Sequence, residues 1–151
     1  MNTPSSLLTN HHRRCDGLFA EAEEQIEEGD WTRCLLNTQH FADELLAHFA
    51  VEEEALFPAF ERATGMTTGP TRLMRIEHDQ MRELVRQLIE AAETKQRDTF
   101  FGISDTLVVL MEQHNLKEEN VLYPMCDQAV GHDTALVGEL ENAVAEGRIE
   151  Q

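Results

Sequence analysis

The sequence repeats itself at an offset of 66 residues. Leu8, His12, Cys15, Phe19, Ala22 and Ile26 map onto Met74, His78, Met81, Val85, Leu88 and Ala92. Successive members of each set are three or four residues apart, so each set lines one face of a helix. The eleven residues that begin at His48 align in the same way with the eleven that begin at His114. Five of those pairs are identical: His48/His114, Glu52/Glu118, Glu53/Glu119, Leu56/Leu122 and Pro58/Pro124. A chain patterned this way folds as two helical hairpins related by a pseudo-two-fold axis.

Breakers divide the chain in agreement with the repeat. Gly29-Asp30 supplies a C-terminal glycine followed by an N-capping aspartate, and Gly65 to Pro70 forms a loop with Pro70 suited to a first helical position. Asp98 is read as the cap of the next helix, and Gly131-His132-Asp133-Thr134 is a further joint. The helical segments fall near 5–28, 31–63, 70–96 and 99–129, followed by a short acidic helix near 134–146. Pro58 and Pro124 must kink or end the second and fourth segments. Alternating strand patterns are nearly absent. The expectation is an all-α, up-down-up-down four-helix bundle over about 5–129 with an extra C-terminal helix, all in one domain of 151 residues.

The repeat also places chemistry. His12 and His48 are 36 residues apart, as are His78 and His114, and the midpoints, 30 and 96, are hairpin joints. Each His then lies ~27 Å from its turn at ~1.5 Å per residue, so each pair shares one level of its hairpin. His48/Glu52 and His114/Glu118 are i,i+4 pairs on the apolar face. One stripe is Leu45, His48, Phe49, Glu52 and Leu56, and the other is Leu107, Leu110, Met111, His114, Glu118 and Val121. A bundle built on these faces draws four imidazoles and two carboxylates into its core, with no Lys or Arg on the stripes to compensate them. A bound cation answers that need. The set is too large for one tetrahedral zinc and too rich in nitrogen for calcium or magnesium. It suits two first-row ions, each holding two His, with Glu52 and Glu118 bridging. Iron is the expected metal, although the affinity order alone also admits copper, zinc and manganese.

Composition narrows the partners. Twelve Lys and Arg against 29 Asp and Glu give a formal charge of −17, which excludes a phosphate-backbone binder and an anionic membrane surface as targets. The longest apolar run, Leu107 to Met111, is far short of the ~20 residues of a spanning helix. The first residues lack a basic and apolar leader pattern, so a cytoplasmic location is expected. Three cysteines without C-x-x-C spacing read as reduced, packed thiols.

The doubled H-x3-E-E-x2-L-[FY]-P string, each copy preceded 36 residues earlier by a helix-borne His, resembles the hemerythrin-like (HHE cation-binding) domain. The resemblance covers about residues 5–129. It implies a non-haem di-iron centre between the helices, with an oxo or hydroxo bridge and with His12, His48, Glu52, His78, His114 and Glu118 as ligands. Two departures matter. Oxygen-carrying members have a fifth His one turn from the third-helix ligand, where this chain has Arg82 and Met74. They also place the last carboxylate five residues after its His, which keeps Glu119 in reserve beside Glu118. Four His with two Glu resembles instead the iron-sensing and iron–sulfur-cluster repair members. A Glu-x-x-His pattern of ferritin-like oxidases precedes neither His48 nor His114.

The implied function is binding of O2, NO or peroxide at iron, for sensing, storage or detoxification. The alternatives are an iron-donating or NO- or peroxide-reducing enzyme of the same fold, served by an unidentified redox partner, and a helical interaction module with a structural metal. Asp16, four residues after His12, is a further reserve ligand. His11, His40 and His132 are assigned to the surface, Cys15 and Met81 to packing, Trp31 to the core, and Glu21 to Glu28 to a solvated face.

Overall fold

The computed structural model describes residues 2–149, with side chains through residue 145. The described residues are helical and contain no strand. Helices α1 (Pro4–Glu27) and α2 (Trp31–Val51) form the first hairpin. Helix α2 runs through a π-helical turn, Glu52–Leu56, into α3 (Phe57–Thr64). Helices α4 (Pro70–Glu93) and α5 (Arg97–Lys117) form the second hairpin, and α5 continues through a second π turn, Glu118–Leu122, into α6 (Tyr123–Val130). Helix α7 (Thr134–Ile149) lies outside the repeat and packs on α1 and α2.

Local chemistry sets the boundaries. Thr3 caps α1 through a capping box with Ser6, and Pro4 sits at N1, where a missing N–H costs nothing. Gly29, with φ +77°, ends α1, and Asp30 caps α2 by accepting from the Arg33 amide. The second hairpin copies this turn with poorer residues. Lys95 takes the left-handed conformation (φ 56°), and Gln96 is an N-cap without a side-chain bond. Asp98 is therefore not the cap expected from sequence: it lies inside the first turn, because the helix starts two residues earlier.

The two π turns are the local response to Pro58 and Pro124. A proline has no N–H to donate and crowds the carbonyl four residues back, and a widened turn relieves the crowding. The bonds close from the Phe57 amide to the Glu52 carbonyl and from the Tyr123 amide to the Glu118 carbonyl. The added residue shifts the inward face. Val121, expected on the apolar stripe, is 54% exposed, and Leu122 takes the buried place instead.

The core forms two clusters. One, toward the hairpin turns, contains Phe19, Phe41, Phe49, Val85, Phe100 and Leu107. The other contains Leu8, Phe57, Phe60, Met74 and Tyr123, closed by Leu136 and Leu140 of α7. Along α1 and α4, His12 and His78 fall between residues of the two clusters. The polar level lies between two apolar slabs. Trp31 is half-buried at the edge of the first cluster rather than inside it.

Candidate metal centre

The structure brings all six of the main sequence-derived positions together. His12, His48, Glu52, His78, His114 and Glu118 are buried, each at most 3% exposed. The helical repeat turns the four imidazoles inward from α1, α2, α4 and α5, and the carboxylates enter at the first residue of each π turn. Ligand atoms of Glu52, His78, His114 and Glu118 lie within 4.8 Å of one another, as do those of His12, His48 and Glu118. Glu118 belongs to both groups.

Each carboxylate spans two helices. Glu52 faces His48 Nε2 at 3.5 Å and His78 Nε2 at 3.1 Å through different oxygens. One oxygen of Glu118 faces His12 Nε2 at 3.1 Å and His114 Nε2 at 3.3 Å. Among the described residues, His78 Nε2, His114 Nε2, Glu52 Oε1 and Glu118 Oε2 are buried and make no well-aligned hydrogen bond. Buried polar atoms are normally satisfied, so four such atoms converging on one space fit a bound cation.

The outer nitrogens have partners of their own. His12 Nδ1–H donates to Glu119 (2.7 Å), His78 Nδ1–H to Glu53 (2.6 Å) and His114 Nδ1–H to Glu77 (2.8 Å). Arg82 grips Glu53 with two N–H groups, and Lys117 Nζ donates to Glu77 at 2.5 Å. These bonds fix the rings with Nδ1 protonated and Nε2 free to ligate. Glu119, held in reserve as a ligand, is thus an outer partner of His12. Asp16 is exposed and joins neither ligand group.

His11 departs from its surface assignment. It is only 4% exposed, and its Nδ1 lies 2.9 Å from His48 Nδ1. Its immediate neighbour His12 occupies the stripe, but α1 is covered by α2 on one side and α7 on another, so the adjacent face is buried too. His40 is partly exposed and His132 exposed, as read.

Sequence reasoning also missed Tyr123. Its hydroxyl donates to Glu52 Oε2 at 2.7 Å and lies 3.0 Å from Glu118 Oε1, 3.1 Å from His48 Nε2 and 3.2 Å from His12 Nε2. The signal was present at the 66-residue offset, where Tyr123 replaces Phe57. Apolar walls close the other half: Phe49 stacks on His78 at 4.0 Å and Phe57 lies 5.9 Å from it.

The charges respond to this crowding. Burial alone would raise the Glu52 carboxyl, but His48 and His78 outweigh it and hold it well below the usual range. Burial alone would lower His114, but Glu118, Glu52 and Glu77 outweigh it and bring it to about 9. Burial, then Glu118 and Glu52, push the Tyr123 phenol well up. Burial also raises Cys15 and Cys126, so both stay thiols.

Four helices around paired His/Glu clusters define a cation-binding helical bundle. The chain belongs to the hemerythrin HHE cation binding domain family, which matches residues 3–145. It is similar to the iron-sulfur cluster repair protein YtfE of Yersinia pseudotuberculosis serotype O:1b, with 33% identity over 121 residues, 71% of this chain and 54% of that protein. The same-named protein of Salmonella schwarzengrund is 35% identical over 92 residues, 54% of this chain and 41% of that protein. The chain spans about half the length of these curated relatives. No solved structure matches. No helix among the described residues is long and apolar enough to cross a membrane.

Proposed function

We propose that this chain is a cytoplasmic non-haem di-iron protein that binds O2, NO or peroxide within the bundle, for sensing, storage or detoxification. The observation that carries this reading is the convergence of four inward imidazole nitrogens and two carboxylates whose buried atoms the protein itself leaves incompletely satisfied. One ion would be held by His78, His114, Glu52 and Glu118, and the other by His12, His48 and Glu118. Iron there supplies one-electron chemistry and an exchangeable coordination position.

The chain's own residues prepare that chemistry. Glu118 would serve both positions, Glu52 would complete the one at His78 and His114, and the two carboxylates would offset the charge there. Phe49 and Phe57 exclude water beside His78. The Tyr123 hydroxyl, turned inward among four ligand groups, is set to hydrogen-bond a small polar ligand beside His12 and His48.

Metal analysis after iron-replete purification tests the proposal. Two ions per chain are expected, and fewer than one would sink it. Acid should release them, since imidazole must be unprotonated to ligate, so retention well below about pH 5 would contradict the ligand set. Exposing the reduced protein to O2 and to NO should produce charge-transfer absorption, and a band reversed by removing O2 would indicate a carrier. The iron-sulfur cluster repair for which the YtfE relatives are named supports a second reading, iron donation to such clusters. Transfer of iron from the loaded protein to an apo iron–sulfur acceptor would favour it.

A further inference from the structure

The two halves of the centre differ in what stands behind the imidazoles. His12, His78 and His114 each donate their outer N–H to a carboxylate. His48 does not. Its Nδ1 meets His11 Nδ1 at 2.9 Å, His11 Nε2 lies 3.7 Å from Glu44 Oε2, and the other oxygen of Glu44 accepts from Arg14 Nε. At the 66-residue offset His11 stands where the second half has Glu77, and Glu44 where it has Leu110. The carboxylate has been moved one imidazole farther from the centre.

That displacement changes donor strength. With Nε2 turned toward the centre, His48 carries its proton on Nδ1 and donates it to His11 Nδ1, and His11 Nε2–H then points to Glu44. A carboxylate accepting an imidazole N–H raises the basicity of the opposite nitrogen. A neutral imidazole does so less, because charge-assisted bonds are about twice as strong as neutral ones. His48 is therefore the weakest of the four nitrogen donors. The group it belongs to also has three clustered ligands, His12, His48 and Glu118, against four around His78 and His114.

We infer that His11 makes the two metal positions unequal: acting through His48, it loosens the ion at His12/His48, which loads last and leaves first. His11 is a positioning residue, and the inference rests on the two-metal reading above.

Titration of the metal-free full chain with Co2+, followed by the absorption of bound cobalt, reads this directly. The wild type should load in two steps separated by about tenfold or more in affinity. His48→Ala should remove the weaker step and His78→Ala the tighter one. The pair His11→Glu with Glu44→Leu copies the second half and should narrow the gap by about tenfold. His11→Gln presents a neutral acceptor to His48 and should leave the steps apart. Glu44→Gln removes the distant charge without adding an acid and should widen the gap, which keeps the test open if the paired variant does not fold. The inference is overturned if the wild type binds two ions equally. An unchanged gap in the paired variant or in Glu44→Gln overturns it as well, as does a weaker step lost in His78→Ala. Fewer than two Co2+ bound to the wild type would overturn the two-metal reading itself, and this inference with it.

Discussion

Glu118 faces imidazoles from α1 and α5 at once and belongs to both ligand groups, whereas Glu52 belongs only to the one that contains His78 and His114. Glu118→Ala should accordingly empty both positions and Glu52→Ala chiefly one, as bound metal per chain will report. Tyr123→Phe should retain both ions but alter the absorption of the NO-treated protein, and identical spectra would remove the hydroxyl from the reading. Titration of the metal-free protein gives a third check. His114 rises from an ordinary 6.5 to about 9, so its protonation stabilises the metal-free fold fully below pH 6.5, and that contribution is lost as pH climbs through about 9. The metal-free Tm should fall across that interval, and His114→Gln should flatten the fall. Metal competes with the same proton, so apparent affinity should rise over the same range. The buried His and Glu positions were legible because they repeat. Tyr123 and His11 were not, because each is a place where the repeat is broken, and a break in a pattern reads as noise until the neighbours are known.

The hairpin turns show how unevenly the two halves are made. Gly29 and Asp30 in the first become Lys95 and Gln96 in the second, with the same left-handed residue before the helix start. A left-handed side-chain residue costs about 1–2 kcal/mol, and a lost N-cap bond about 1 kcal/mol. Lys95→Gly with Gln96→Asp should therefore raise stability by about 2–3 kcal/mol by urea melt with no change in metal content. The joints at 29–30, 65–70 and 131–134 were readable from glycine and proline. The extra residue in each π turn was not, since the prolines announce an interruption but not whether the chain stops, bends or widens. That difference decides whether Val121 or Leu122 faces inward.

Helix α7 lies beyond the repeat, yet it completes the second apolar cluster with Leu136 and fully buried Leu140. Leu140→Ala should cost about 2–4 kcal/mol by urea melt while two ions remain bound, which separates a covering helix from one that shapes the centre. The acidic balance of −17 belongs mostly to exposed faces such as Glu21, Glu24, Glu27 and Glu28, so added salt should stabilise the metal-free protein.

The polar level separates the two apolar clusters of the interior. Metal would act there as a clutch. Loaded, it would couple the slabs so that they melt as one. Stripped, each end can open on its own schedule, and backbone amides on either side of His48 and His114 should exchange with deuterated solvent well before those deep in either slab.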